Sequence, residues 1–145
     1  MRVRLVAVGR RVPEWAAAAY REYTTRLPAD LRVELIEIPT GKRDEGARIL
    51  AQVPAGAHVV ALDERGQAWD TRGFASELAR WRDAGAPVVL IIGGPDGLTD
   101  ECRARAAQTW SLSPLTLPHM LVRVVLAEQL YRASTLLAGH PYHRD

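Results

Sequence analysis

The last six residues of the sequence combine side chains that can bind and modify a nucleic-acid base. His140 and His143 titrate near neutral pH, Tyr142 offers a ring for stacking, and Arg144 offers a planar fork that suits phosphate. Chain ends commonly fray, so a plain tail is the alternative. The density of functional groups favours a substrate-binding or catalytic segment.

A glycine-rich turn follows the most apolar run of the sequence, residues 88–92. The turn contains Gly93 and Gly94 and continues to Leu98. Ligands of parallel α/β sheets bind at the carboxyl ends of strands, where glycines let the backbone approach them closely. The spacing matches neither the dinucleotide fingerprint nor the P-loop, which argues against NAD and ATP. An ordinary strand-to-helix turn is the alternative.

A second candidate binding segment is the loop 112–119. Pro114 and Pro118 stiffen its backbone and exclude a central strand. Its exposed amides, apolar side chains and two hydroxyls fit an adenine ring, although a stiff connector into the next helix is the alternative. For His119, at the start of that helix, we expect a structural rather than a catalytic role.

Other reactive residues give weaker signals. Asp63 and Glu64 follow a predicted strand, but neighbouring strand residues point to opposite faces. The only cysteine, Cys102, forms no internal disulfide and belongs to no zinc-ligand cluster, which favours a reducing compartment. It falls in the first turn of a predicted helix, where a packed, inert thiol is the favoured interpretation over a reactive one. We therefore expect neither a hydrolase nor a metal site.

Composition and charge are those of a small globular protein. The 145 residues predict one domain, 48% of them are apolar, and no run is long enough to span a membrane or resembles a signal peptide. We expect a soluble, cytoplasmic protein. The net charge of +2 conceals two ends of +3 each, 1–48 and 102–145, around a middle of −4. Arginine makes up 18 of the 19 basic residues, which permits an RNA partner, although codon composition is an equal alternative.

The periodicity of apolar residues predicts strands that alternate with helices, hence an α/β sandwich with a largely parallel sheet. In the first helix Trp15, Ala19, Tyr23 and Leu27 share one face. Predicted strands cover 3–8, 31–38, 57–62, 88–92 and 110–112. Predicted helices begin at Pro13, cover 47–52, follow the N-caps Thr71 and Thr99, and cover 119–138.

The final helix is apolar over more than half of its circumference. A single sheet face covers only a stripe of a helix, so a second covering partner is expected. The favoured partner is another copy of the chain, and a central helix within one chain is the alternative.

Several motifs together resemble one family over nearly the whole chain. They are LVAVG at 5–9, ELIEIP at 34–39, GKR at 41–43, IGGPDGL at 92–98, SLSPLTLPH at 111–119, LVRV at 121–124, EQLYRA at 128–133 and HPYHR at 140–144. With these motifs the sequence resembles the ribosomal RNA large subunit methyltransferase H family, a minimal branch of the SPOUT methyltransferases. The segment after Arg43 is shorter than in the family pattern, which puts an rRNA contact from this loop in doubt.

The resemblance implies a homodimer with a five- to six-stranded, largely parallel sheet and a carboxy-terminal trefoil knot. The implied reaction is methylation of N3 of a pseudouridine in 23S ribosomal RNA, on the assembled ribosome and without a metal. The implied S-adenosylmethionine contacts are Leu62, Gly93, Gly94, Leu112, Ser113, Pro114, Leu115, Thr116 and Leu117.

The resemblance also places the tail at the target nucleotide, beside the partner subunit's cofactor. His143, Tyr142 and Arg144 would be catalytic, and His140, Arg123 and Arg132 would bind substrate. For Arg132, pairing with Glu128 four residues earlier is the alternative. A non-catalytic ribosome- or RNA-binding protein with a similar pocket is the competing function, and a nucleotide-dependent oxidoreductase lacks its glycine fingerprint.

Overall fold

The computed structural model of the protein describes residues 1–9, 11–41 and 44–143. Its five strands form one sheet in the order β2-β1-β4-β3-β5, and all pairings are parallel. This confirms the predicted α/β fold and the central place of β4. The strands are β1 (Arg2–Val8), β2 (Arg32–Ile38), β3 (His58–Ala68), β4 (Val88–Ile92) and β5 (Gln108–Ser111).

Helices cover both faces of the sheet. Helices α1, α3 and α5 enclose one apolar cluster with the sheet, and α2 and α4 enclose the other. Because both faces are covered, the central strand β4 is a continuous, fully buried apolar run, whereas the edge strand β2 mixes apolar and charged residues. The helices are α1 (Glu14–Thr24), α2 (Glu45–Leu50), α3 (Thr71–Ala84), α4 (Asp100–Arg105) and α5 (His119–Ala138), followed by a 3-10 turn at Pro141–His143.

Strand β3 is longer than predicted. Its pairing with β5 shifts register between Leu62 and Gln67, and the strand continues to Ala68. Gly66 lies in the shifted segment, where a Cβ atom would come within 2.6 Å of the backbone of Thr109. The prediction ended β3 at Leu62 because polar residues follow. It was wrong because the strand leaves the regular pairing over residues 63–66, here called the β3 bulge, and then pairs with β5 again.

Two helix assignments also need correction. Asp70, not Thr71, is the N-cap of α3, and its carboxylate accepts the amide of Gly73 at 2.7 Å. In α1 the inward stripe contains Ala16 and Tyr20, while Trp15 is 56% exposed. Both mistakes shift the pattern by one residue. Local sequence allows either choice, and packing against α5 decides between them.

Helix α5 has two helical neighbours within its own chain. It packs between α1 and α3, with Leu126, Leu130 and Ala133 buried on the sheet. This supports the alternative of a central helix within one chain. Leu121 and Val125 stay partly exposed, and the second copy and the trefoil knot remain predictions. Among the described residues, no helix is both long and apolar enough to cross a membrane.

Candidate active site

A cleft of about 620 Å³ opens at the carboxyl ends of β3 and β4. Three segments that are distant in sequence form it: the start of the β3 bulge, the turn after β4 and the loop before α5. The lining includes eight of the nine residues predicted to contact a cofactor, namely Leu62, Gly93, Gly94, Leu112, Ser113, Leu115, Thr116 and Leu117. Pro114 is the remaining one and belongs to the same loop.

The floor of the cleft is a tight glycine turn. The amide of Gly97 donates to the carbonyl of Gly94 at 2.9 Å, so the turn folds back on itself. A Cβ atom on Gly93 would lie 2.5 Å from the carbonyl carbon of Gly97, and 2.8 Å from the amide nitrogen of Leu98. No side chain fits at position 93, because the backbone of Gly97 and Leu98 already fills the space, and Gly93 lines the cleft with backbone atoms alone. A planar ligand can approach such a surface closely.

The loop 112–118 forms the opposite wall and is held by its own hydroxyl groups. The Ser111 hydroxyl donates to the carbonyl of Ser113 at 3.0 Å, and the Ser113 hydroxyl accepts the amide of Leu115 at 2.9 Å. Thr116 donates to Glu64 on the β3 bulge at 3.0 Å. The loop is therefore fixed in advance, while Leu115 is 70% exposed and offers apolar surface to a bound ring.

These features fit S-adenosylmethionine. An apolar side chain with a backbone wall suits its adenine ring, and the glycine turn accepts a ligand at backbone distance. Among the described residues no group of three or more His, Cys, Asp and Glu side chains could hold a metal ion.

A network of charges that the sequence reasoning missed borders the cleft. The Asp63 carboxylate accepts hydrogen bonds from Arg65 at 2.9 Å and from Arg103 at 3.3 Å, and Arg103 also pairs with Asp100 at 3.1 Å. Hydrogen bonding to Arg65, more than to Arg103, lowers the pKa of Asp63 to about 2. The network joins the β3 bulge to α4 beside the glycine turn, a contact that the local pattern did not reveal.

We expect Asp63→Asn to weaken folding at neutral pH. A carboxylate whose pKa is lowered on folding stabilises the protein above its unfolded pKa, near 3.8, and loses that contribution as pH falls toward about 2. The variant should therefore lose about 1–2 kcal/mol of unfolding free energy at pH 7. Its stability should also fall less steeply between pH 4 and pH 2. Urea titrations at pH 7 and pH 3 measure both effects.

The exposed Asp96 provides a matched control for this prediction. Asp96→Asn should leave the urea midpoint close to that of the wild type at pH 7. Equal losses in the two variants would contradict a specific role for the Asp63 network.

Arg123 is buried where β1, β2 and α5 meet. It is 3% exposed, and its guanidinium donates to Glu37 at 2.7 Å and to the carbonyl of Gly9. In this position the guanidinium is not exposed to an rRNA phosphate, and its contacts tie the start of α5 to β1 and β2. The ring of His119 packs over Gly9 beside it, and burial together with Arg123 lowers the pKa of His119.

The tail lies at the other end of α5 from the cleft. His119 lines the cleft, and the 20-residue helix then rises about 30 Å before the tail begins. Arg132 pairs with Glu128 at 2.6 Å, which confirms the pairing that their spacing predicts. His140 and Tyr142 are near this end, whereas Arg144 and the side chain of His143 are outside the described residues. Within the described residues, one chain thus does not bring its own tail to its own cleft.

Comparison with known proteins identifies the class first. Residues 1–143 match the family described as predicted SPOUT methyltransferases, so this is the class to which the fold and the cleft belong. Solved structures agree on the fold. A probable methylase family protein from Haemophilus influenzae superposes with a TM-score of 0.63 at 12% identity, over 99% of this chain and 70% of that one. The methyltransferase AviRb from Streptomyces viridochromogenes, in complex with AdoMet, superposes with a TM-score of 0.51 at 17% identity, over 94% of this chain and 58% of that one.

Relatives then identify the family. The ribosomal RNA large subunit methyltransferase H of Hahella chejuensis is 53% identical over 156 aligned residues, covering 100% of both chains. That of Alkalilimnicola ehrlichii is 54% identical over 154, covering 99% of each. The chain belongs to the ribosomal RNA large subunit methyltransferase H family. Because 156 aligned positions exceed 145 residues, the Hahella protein has residues that this chain lacks.

Proposed function

We propose that the protein transfers a methyl group from S-adenosylmethionine to N3 of a pseudouridine in 23S ribosomal RNA, in the cytoplasm and on the assembled ribosome. The observation that carries the proposal is the cleft between the glycine turn and the loop 112–118. The full-length similarity to rRNA methyltransferases supports the choice of substrate.

The cofactor supplies an already activated methyl group, so the protein's task is alignment and proton removal. The backbone at Gly93 and Gly94 and the loop 112–118 hold the cofactor, with Leu115 and Leu117 against its ring. The fixed loop geometry keeps this wall in place before binding. His143, Tyr142 and Arg144 position the base and assist removal of the proton from N3, and His140 and Arg132 contact the RNA around it.

The proposed active site requires two copies of the chain. The tail begins about 30 Å from the cleft along α5, which is too far for one chain to use both on one nucleotide. A homodimer places the tail of one subunit at the cleft of the other. The partly exposed apolar side chains of α5 and the exposed Trp15 offer surface for such a contact.

Two measurements test the proposal. Titration calorimetry with S-adenosylmethionine tests the cleft, and transfer of labelled methyl to ribosomes with and without the pseudouridine tests the reaction. We expect micromolar binding and incorporation only into ribosomes that contain the pseudouridine. Binding without incorporation into either would favour a non-catalytic ribosome-binding protein instead.

A further inference from the structure

The ring of Tyr142 attaches the tail to the body of the protein. The ring meets that of Tyr131 edge to face, with centroids 4.5 Å apart, and the guanidinium of Arg132 lies 4.8 Å from its centroid. Burial raises the pKa of the Tyr142 phenol, and the phenol of Tyr23, which lies beside it, raises it further. Since Tyr131 and Arg132 belong to α5 and Tyr23 to α1, the ring docks at the joint between two helices.

The backbone around Tyr142 is ordered by bonds to the end of α5. The amide of His140 donates to the carbonyl of Thr135 at 2.8 Å, and the amide of Tyr142 donates to Nδ1 of His140 at 3.2 Å. The segment then forms a 3-10 turn over Pro141–His143. These bonds fix the path of the tail, and the docked ring fixes its direction relative to α1.

Tyr23 and Tyr131, which lie beside the Tyr142 ring, share a contact with one arginine. The guanidinium of Arg26 lies 6.0 Å from the Tyr23 ring and 5.9 Å from the Tyr131 ring, within cation–π range of both. Arg26 also forms an ion pair with Glu22. Tyr23 and Tyr131 are thus held in place across the α1–α5 joint before the tail docks on them.

We propose that Tyr23 and Tyr131 are positioning residues for the tail, which they hold through Tyr142 in one orientation before RNA binds. The role deepens the proposed function and rests on it, since it assumes that the tail meets the target nucleotide. A segment ordered in advance avoids the entropy cost of ordering on binding, so the arrangement favours substrate affinity. Neither tyrosine contacts the cleft, so cofactor binding should not depend on them.

The test compares Tyr131→Ala with Tyr131→Phe, which keeps the ring. It adds Tyr23→Phe, which removes only the phenolic hydroxyl. In Tyr131→Ala we expect the KM for ribosomes to rise about tenfold, and amide hydrogen exchange of residues 139–143 to quicken about tenfold. Tyr131→Phe should restore both to near the wild-type values. The affinity for S-adenosylmethionine should stay the same in all three. Tyr23→Phe should raise both quantities about threefold, and it covers the case in which Tyr131→Ala fails to fold.

Unchanged exchange in Tyr131→Ala and Tyr23→Phe would overturn the docking. Faster exchange with unchanged KM would overturn the positioning role. If the wild-type protein methylates no ribosomes, the proposed function is contradicted, and the positioning role with it. The exchange data still decide whether the two tyrosines hold the tail.

Discussion

Removal of residues 142–145 should abolish methyl transfer to ribosomes and leave the affinity for S-adenosylmethionine unchanged. The deleted segment contains all three predicted catalytic residues, His143, Tyr142 and Arg144. The lining of the cleft, which lies between Leu62 and Val122, contains none of the deleted residues, so the groups proposed to hold the cofactor stay intact. A loss of base positioning and of proton transfer together is expected to cost at least about 1,000-fold in kcat.

Deletion of Asp145 alone is the matched control and should retain activity close to that of the full chain. Calorimetry with S-adenosylmethionine and single-turnover transfer of labelled methyl give the two readouts. Activity within tenfold of the wild type after the four-residue deletion would contradict a catalytic tail. Loss of cofactor affinity would show instead that the tail contributes to the cofactor site.

Among single methyl groups added around the cleft, the one added by Gly93→Ala should weaken cofactor binding most. The new Cβ atom would lie within 3 Å of three backbone atoms of Gly97 and Leu98, and backbone cannot rotate away as a flexible side chain can. The turn must therefore shift, at a cost of about 1–3 kcal/mol. If the displaced turn loses its contact with the ligand, the dissociation constant for S-adenosylmethionine rises about tenfold to 100-fold.

Gly56→Asn is the control for this substitution. Gly56 has a left-handed φ of 76°, which asparagine tolerates, and no atom lies within 4 Å of its Cβ position. It is also outside the cleft lining. The control should bind cofactor like the wild type, and thermal melts of both variants separate a local effect from unfolding. Wild-type affinity in Gly93→Ala would contradict the assignment of the glycine turn to the cofactor site.

The elements of the fold were largely predictable because their signals are local. The apolar run 88–92 and the Thr99 cap appear in the structure where the sequence places them. The two helix errors share one physical cause. Asp70 competes with Thr71 as a cap, and Ala16 competes with Trp15 for the core, so neighbouring residues satisfy the same local rule. Tertiary packing makes the choice in both cases.

The cleft was predictable segment by segment, but its charged border was not. Gly93 and the prolines of the loop 112–118 mark unusual backbone within single segments, although each of them also fits an ordinary turn or connector. The contact of Asp63 with α4 gives no such signal, because Arg103 is 40 residues away from Asp63 and meets it only through the tertiary structure. Arg123 shows the opposite failure. An arginine looks like a phosphate ligand in sequence, and only burial beside Glu37 shows that it is a structural residue.

The sequence by itself determined the parallel α/β fold, two of the three segments that line the cleft and the chemical character of the tail. These follow from periodicity, from glycine and proline, and from side-chain type, which are properties of single segments. The tertiary structure decided which segments meet. It brought residues 62–65, 92–98 and 112–119 into one cleft and docked Tyr142 between α1 and α5. It also set the tail and the cleft at opposite ends of α5, because the sheet order and the length of a rigid helix fix distances that no local pattern contains.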